Sequence, residues 1–110
     1  MDNKKDNNYY ARKAIEDIVC IQKYIGHKTY EEFISDGELM DAIMFRLIQL
    51  VESINNLSNE YKAENPQVPW GKIKGFRNGL VHEYGETDYS IVYEIITNDI
   101  EPLRVLFEKL

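Results

Sequence analysis

Cysteine, proline and glycine are all scarce in this 110-residue chain, which has one, three and six of them, and each scarcity excludes something. Cys20 has no partner for an internal disulfide, so the fold must be held by its core. A lone thiol inside an apolar helical pattern is expected to be a small buried core residue. One cysteine and two distant histidines, His27 and His82, leave no spacing that suits zinc, so no metal is expected. There is no phosphate-cradling glycine-rich loop and no nucleophile elbow. No apolar run approaches the ~20 residues of a membrane span. The polar start, Met1 to Asn8, leads into no apolar signal core, so a cytoplasmic protein without membrane contact is expected. Positive charge is short as well. A net charge of −6 argues against a protein that coats nucleic acid by bulk electrostatics.

What the chain does have is helical periodicity. Its mixture of 44% apolar and 29% charged residues is that of an ordinary globular protein, and its length suits one domain spanning residues 1–110. Ala11, Ala14, Ile18, Ile21 and Ile25 step by three and four, predicting a first helix over 6–26 that stops at Gly26. Thr29 with Glu32, and Ser35 with Glu38, have capping-box spacing. They predict a short helical turn over 29–34 and a long second helix over 36–61. That second helix carries the stripe Met40, Ile43, Leu47, Leu50, Ile54 and Leu57, widened by Met44, Ile48 and Val51. Pro69 suits the first turn of a third helix carrying Ile73, Phe76, Leu80 and Val81. Thr87 or Asp88 can cap a last helix, in which Pro102 should remove one backbone hydrogen bond and bend the rod near Asn98. No segment alternates with period two. The expected fold is all-α, an antiparallel bundle of four to five helices.

Chemistry concentrates in Arg77-Asn78-Gly79-Leu80-Val81-His82-Glu83-Tyr84. Histidine moves protons near neutral pH, and the planar arginine fork fits phosphate oxygens. From Trp70 to Tyr84 the local charge is +2, from Lys72, Lys74 and Arg77 against Glu83, while the rest of the chain carries −8. RNA contact would therefore be local, with Lys72 and Lys74 as candidate phosphate contacts. Asn78 and His82, four apart, share a helix face. Arg77 and His82 are offset by about 140° on an ideal helix, which a second subunit could bridge. Such residues suffice for RNA cleavage without a metal or cofactor: a base takes the ribose 2′-hydroxyl proton, and a cation stabilises the phosphorane-like transition state. Taken alone, an arginine and a histidine five apart are also compatible with a structural ion-pair network. His27 is expected to be a solvated helix-end residue, and Trp70 a core or interface anchor.

The same eight residues resemble the R-x4-H-x-Y signature of the HepT-type HEPN family. Trp70-Gly71-Lys72-Ile73-Lys74-Gly75-Phe76 is similar to its lead-in, Asp41-Ala42-Ile43 to the start of its second helix, and Asp99-Ile100-Glu101-Pro102-Leu103 to its closing segment. The resemblance implies a dimeric four- to five-helix bundle with two R-x4-H motifs facing one cleft, acting as a metal-independent RNase toxin. It further implies a partner, the small nucleotidyltransferase antitoxin MntA, which transfers AMP to the motif tyrosine. On this chain Arg77 and His82 become catalytic, Asn78 supports them and Tyr84 is the AMP acceptor. Val51-Glu52 stands where the family often has Gly-Glu, so no role passes to Glu52. The rival reading is a non-catalytic HEPN module that grips nucleotide or substrate for a partner nucleotidyltransferase.

Overall fold

Side chains that seize backbone N–H groups decide where these helices begin. A computed structural model describes residues 6–80 and 87–110, with only the backbone of residues 78 and 79. The Asp6 carboxylate accepts from Tyr9 N–H and opens α1 (Asn7–Ile25), which closes at Gly26 with φ at +49°, the left-handed region glycine enters without a Cβ penalty. Thr29 and Glu32 form a reciprocal capping box on α2 (Tyr30–Ile34), at 3.1 and 2.8 Å. The next helix, α3 (Gly37–Asn55), takes its cap from Asp36 rather than from the expected Ser35–Glu38 box, the Asp36 carboxylate accepting from Leu39 N–H at 3.1 Å.

The predicted second helix is split. It ends at Asn55, and a separate α4 (Asn59–Glu64) follows. Ser58 causes the break: its Oγ accepts from Tyr61 N–H, and Asn7 grips it from α1 through both its Oγ and its N–H. Leu57 still turns into the core, which is why the apolar stripe ran unbroken through a helix end. Pro69 precedes α5 (Trp70–Leu80), and its carbonyl accepts the Ile73 N–H. Asp88 caps α6 (Tyr89–Glu94). The rod then widens into a π turn (Ile95–Asp99), where Ile100 N–H reaches back five residues to Ile95 O, before α7 (Ile100–Glu108). The distortion expected near Asn98 is thus a wide turn, three residues ahead of the proline that lacks a donor.

The core joins the predicted seams. Ile18, Ile21, Ile43, Leu47, Leu50, Ile73, Leu80, Val92 and Leu103 are all buried, together with Phe33, Ile100 and Phe107. Cys20 is only half-buried, lying about 100° from the direction of Ile21 on α1. Ile48 is exposed and Met44 half-buried, so α3 is enclosed less widely than its composition suggests. Helix directions follow from side-chain pairs. Asn7 at the start of α1 meets Ser58 just past α3, while Asp17 meets Arg46 midway, so α1 and α3 are antiparallel. Asn55 shares a cleft with Lys74, and Ile48 shares one with Leu80, so α5 runs antiparallel to α3. Trp70 stacks edge-on against Phe107 while Lys72 meets Asp99, which reverses α5 against the π turn and α7. The result is an all-α, HEPN-like bundle. No described helix is long and apolar enough to cross a membrane.

Candidate functional site

One face of α5 is committed to the core through Ile73, Phe76 and Leu80. The stripe Trp70, Lys74, Arg77, spaced by four and three, points another way. Lys74 and Arg77 are exposed on it. Lys72 is two residues from Lys74, about 200° around the helix, and its ammonium lies 3.0 Å from the Asp99 carboxylate of the π turn. Of the two lysines singled out in the sequence, the fold therefore sets Lys74 beside Arg77 and turns Lys72 toward a different neighbour.

Arg77 stands where two clefts meet. An open cleft of about 560 Å³ is lined by Asn55, Lys62, Lys74 and Arg77. A smaller one, about 120 Å³, is lined by Ile48, Val51, Glu52, Arg77 and Leu80. Among the described residues, no carboxylate lies within ion-pair distance of Lys62, Lys74 or Arg77. Arg12, Lys23, Lys28 and Lys109 are likewise without a described carboxylate partner, but only Lys62, Lys74 and Arg77 are gathered around this cleft. The guanidinium of Arg77 is thus presented to solvent without a competing partner from these residues, as an anion ligand has to be. Ile48, which shares the smaller cleft with Arg77, is 43% exposed, and Phe45, three residues before it on α3, is 56% exposed.

Lys62 and Asn55 were not singled out from the sequence. Lys62 lies fifteen residues before Arg77 on another helix, and only the α4–α5 connection brings it round. Trp70 makes that connection firm. Its Nε1–H is shared between the carbonyls of Lys62 and Asn65, both at 3.0 Å, and the Lys62 ammonium sits 6.0 Å from the centre of the indole ring. The anchor role expected of Trp70 is therefore realised on the core, against Phe107, and on the edge of this cleft. His27 is exposed, as a helix-end residue should be.

His82 and Tyr84 lie outside the described residues, as does the side chain of Asn78. Among the described residues, no three His, Cys, Asp or Glu side chains are gathered to hold a metal ion. A second charged cluster lies between α1 and α3: Asp17 is fully buried and binds Lys13 at 3.3 Å and Arg46 at 3.1 Å. The Asp17 carboxylate, with Tyr24 contributing, raises the Arg46 guanidinium above its ordinary value. Both cations there are spent on one carboxylate, so this cluster ties helices together rather than offering a free charge.

Residues 14–110 match the family of HepT-like ribonucleases. Among similar proteins, the chain is 27% identical to the "Probable ribonuclease HepT" of Thermococcus cleftensis, across 97% of each chain. It is 35% identical, over 86% of this chain and 85% of the other, to a protein of Caldanaerobacter subterraneus subsp. tengcongensis that bears a provisional RNase name. Another provisionally named RNase, from Methanocaldococcus jannaschii, is 28% identical over 88% of this chain and 80% of its own. No solved structure matches the chain. With all but its first thirteen residues matched, and an exposed arginine in a cation-lined cleft, the chain belongs to the HepT-like ribonuclease family.

Proposed function

We propose that this chain is the toxin of a two-gene toxin–antitoxin pair, a cytoplasmic, metal-independent endoribonuclease acting through Arg77 and His82. The observation that carries the reading is Arg77, exposed where two clefts meet and free of a carboxylate partner among the described residues. In the reaction His82 takes the proton from a ribose 2′-hydroxyl. The 2′ oxygen attacks the adjacent phosphorus, and the bond from phosphorus to the 5′ oxygen breaks as protonated His82 returns a proton to that oxygen. The products are a 2′,3′-cyclic phosphate and a 5′-hydroxyl. Arg77 binds the non-bridging oxygens as their charge grows, and Asn78 orients the phosphate.

The active form is a two-fold dimer. On an ideal helix Arg77 and His82 would stand about 140° apart, which favours pooling two motifs, and the exposed Ile48 beside Arg77, with Phe45 three residues before it, offers apolar surface that a second copy can cover. Tyr84 is the switch: a MntA-like nucleotidyltransferase moves AMP from ATP onto its hydroxyl, releasing pyrophosphate, and the new phosphate pairs with cations that otherwise hold RNA.

The test is expression with and without that partner. Alone, the chain should arrest growth and cut RNA in EDTA, and His82→Ala should abolish both. Co-expressed, Tyr84 should gain whole AMP units. A harmless chain that forms an inert complex with the nucleotidyltransferase would instead identify a non-catalytic module.

A further inference from the structure

The cleft beside Arg77 has more positive charge than a single catalytic phosphate needs. Arg77 supplies one cation at its edge. Lys74, three residues earlier on the same stripe, supplies a second, about 4.5 Å back along the helix axis. Lys62 supplies a third from α4, and Asn55 adds an amide from the end of α3. None of the three cations is neutralised by a described carboxylate, and unlike the other unpaired cations, Arg12, Lys23, Lys28 and Lys109, they line one cleft together. Trp70 holds Lys62 in register with Lys74: its indole N–H binds the Lys62 carbonyl while its ring lies beneath the Lys62 ammonium.

We propose that Lys62, Lys74 and Asn55 form a phosphate-binding track that grips the RNA backbone flanking the scissile bond, with Lys62 as its outer contact. This rests on the ribonuclease reading for the identity of the ligand and adds a binding site outside the R-x4-H motif. A single strand, rather than a duplex, fits three cations around one small cleft on a chain of net negative charge. The track works by releasing counterions from a few phosphates, not by bulk attraction.

The experiment measures binding of a fluorescent single-stranded oligoribonucleotide with 2′-O-methyl riboses, which cannot be cut through the 2′ oxygen. Each phosphate contact adds about 0.7 to the slope of log affinity against log salt. Lys62→Ala and Lys74→Ala should therefore each lower the slope by that amount. Their deficit relative to wild type should shrink roughly 2.5-fold between 50 and 200 mM salt. Lys62→Arg should retain the slope. Lys23→Ala is the control: it removes the same charge from an exposed site in the last turn of α1, about 24 Å along the helix from Asn7. It should leave the slope alone.

Cleavage of unmodified RNA, measured alongside, separates this proposal from the one beneath it. In the cleaving enzyme the loss from Lys62→Ala should fall on KM. A wild type that cuts RNA while Lys62→Ala binds with unchanged affinity and slope refutes the track and spares the ribonuclease. A wild type that binds with a Lys62-dependent slope but cuts nothing upholds the track and removes the ribonuclease. A wild type that does not bind the oligonucleotide overturns the track outright.

Discussion

Arg46→Met should destabilise the fold more than removal of the carboxylate it serves. Asp17 is 0% exposed, whereas the side chains of its partners Lys13 and Arg46 are 26% and 29% exposed. The asymmetry matters because a lysine or arginine deprived of its partner can swing into water, and a buried carboxylate cannot. In Arg46→Met the thioether chain keeps much of the stem's packing, but the donor at 3.1 Å is gone. Orphaning a buried charge completely costs about 3–5 kcal/mol. Lys13 remains, at 3.3 and 3.5 Å from the two carboxylate oxygens, so the expected loss is about 2 kcal/mol, near the value of one charge-assisted hydrogen bond. For a domain this small that corresponds to a fall in Tm of roughly 10 °C. Asp17→Ala leaves no buried charge and should cost about 1 kcal/mol or less. The double variant should match Asp17→Ala, with a coupling of at least about 1 kcal/mol between the positions. Urea unfolding followed by far-ultraviolet circular dichroism measures all three. Additive losses, or an Arg46→Met variant no worse than Asp17→Ala, would refute the account of this cluster.

Arg77→Ala should cut kcat by about 10²–10³, the usual cost of one transition-state donor, while shifting stability by no more than about 0.5 kcal/mol because the side chain is exposed. Ser58→Ala removes the α4 cap and the acceptor for Asn7 together, and should cost about 1 kcal/mol or more in denaturant unfolding. Hydrogen bonds from the Thr29 backbone and side chain hold Glu32 below the ordinary glutamate value of 4.5. Its support for α2 is therefore fully present above pH 4.5 and fades as pH falls through the lowered value, and Thr29→Ala, which keeps the backbone N–H but loses the hydroxyl, should return the Glu32 titration, read by NMR, only part of the way toward 4.5. The dimer predicts a twofold mass by light scattering at tens of micromolar, and Phe45→Glu, which puts charge on the exposed apolar face of α3, should reduce it to a monomer.

The seams of α1 and α5 were legible because their apolar residues recur at helical spacing and nothing local competes. The end of α3 was not, since Leu57 prolongs the stripe into a segment whose backbone is decided by Ser58 and by Asn7 fifty-one residues away. The start of α3 offered two caps within two residues, and Asp36 prevailed. Asp17 could have been flagged as a charge on an apolar stripe, between Ala14 and Ile18. At the site, Arg77 and Lys74 were readable from position alone, but Lys72 was grouped with them, although its offset of about 200° from Lys74 sends it to Asp99 instead. Lys62 was beyond reach, because its place depends on how the Pro66–Pro69 connection brings α4 over Trp70.

The π turn at Ile95–Asp99 has a consequence for how the chain can change length. A wide turn holds one residue more than the α-helix it interrupts, so deleting exposed Thr97 or Asn98 could restore ordinary winding while Leu103 and Phe107 keep their places in the core. The same deletion in α1 or α3 would rotate everything beyond it by about 100° and turn the core face outward. Pro102 opposes the loss, since in a regular helix it would clash with the carbonyl four residues back. The last rod thus carries one residue of slack in its winding, which the proline keeps in place.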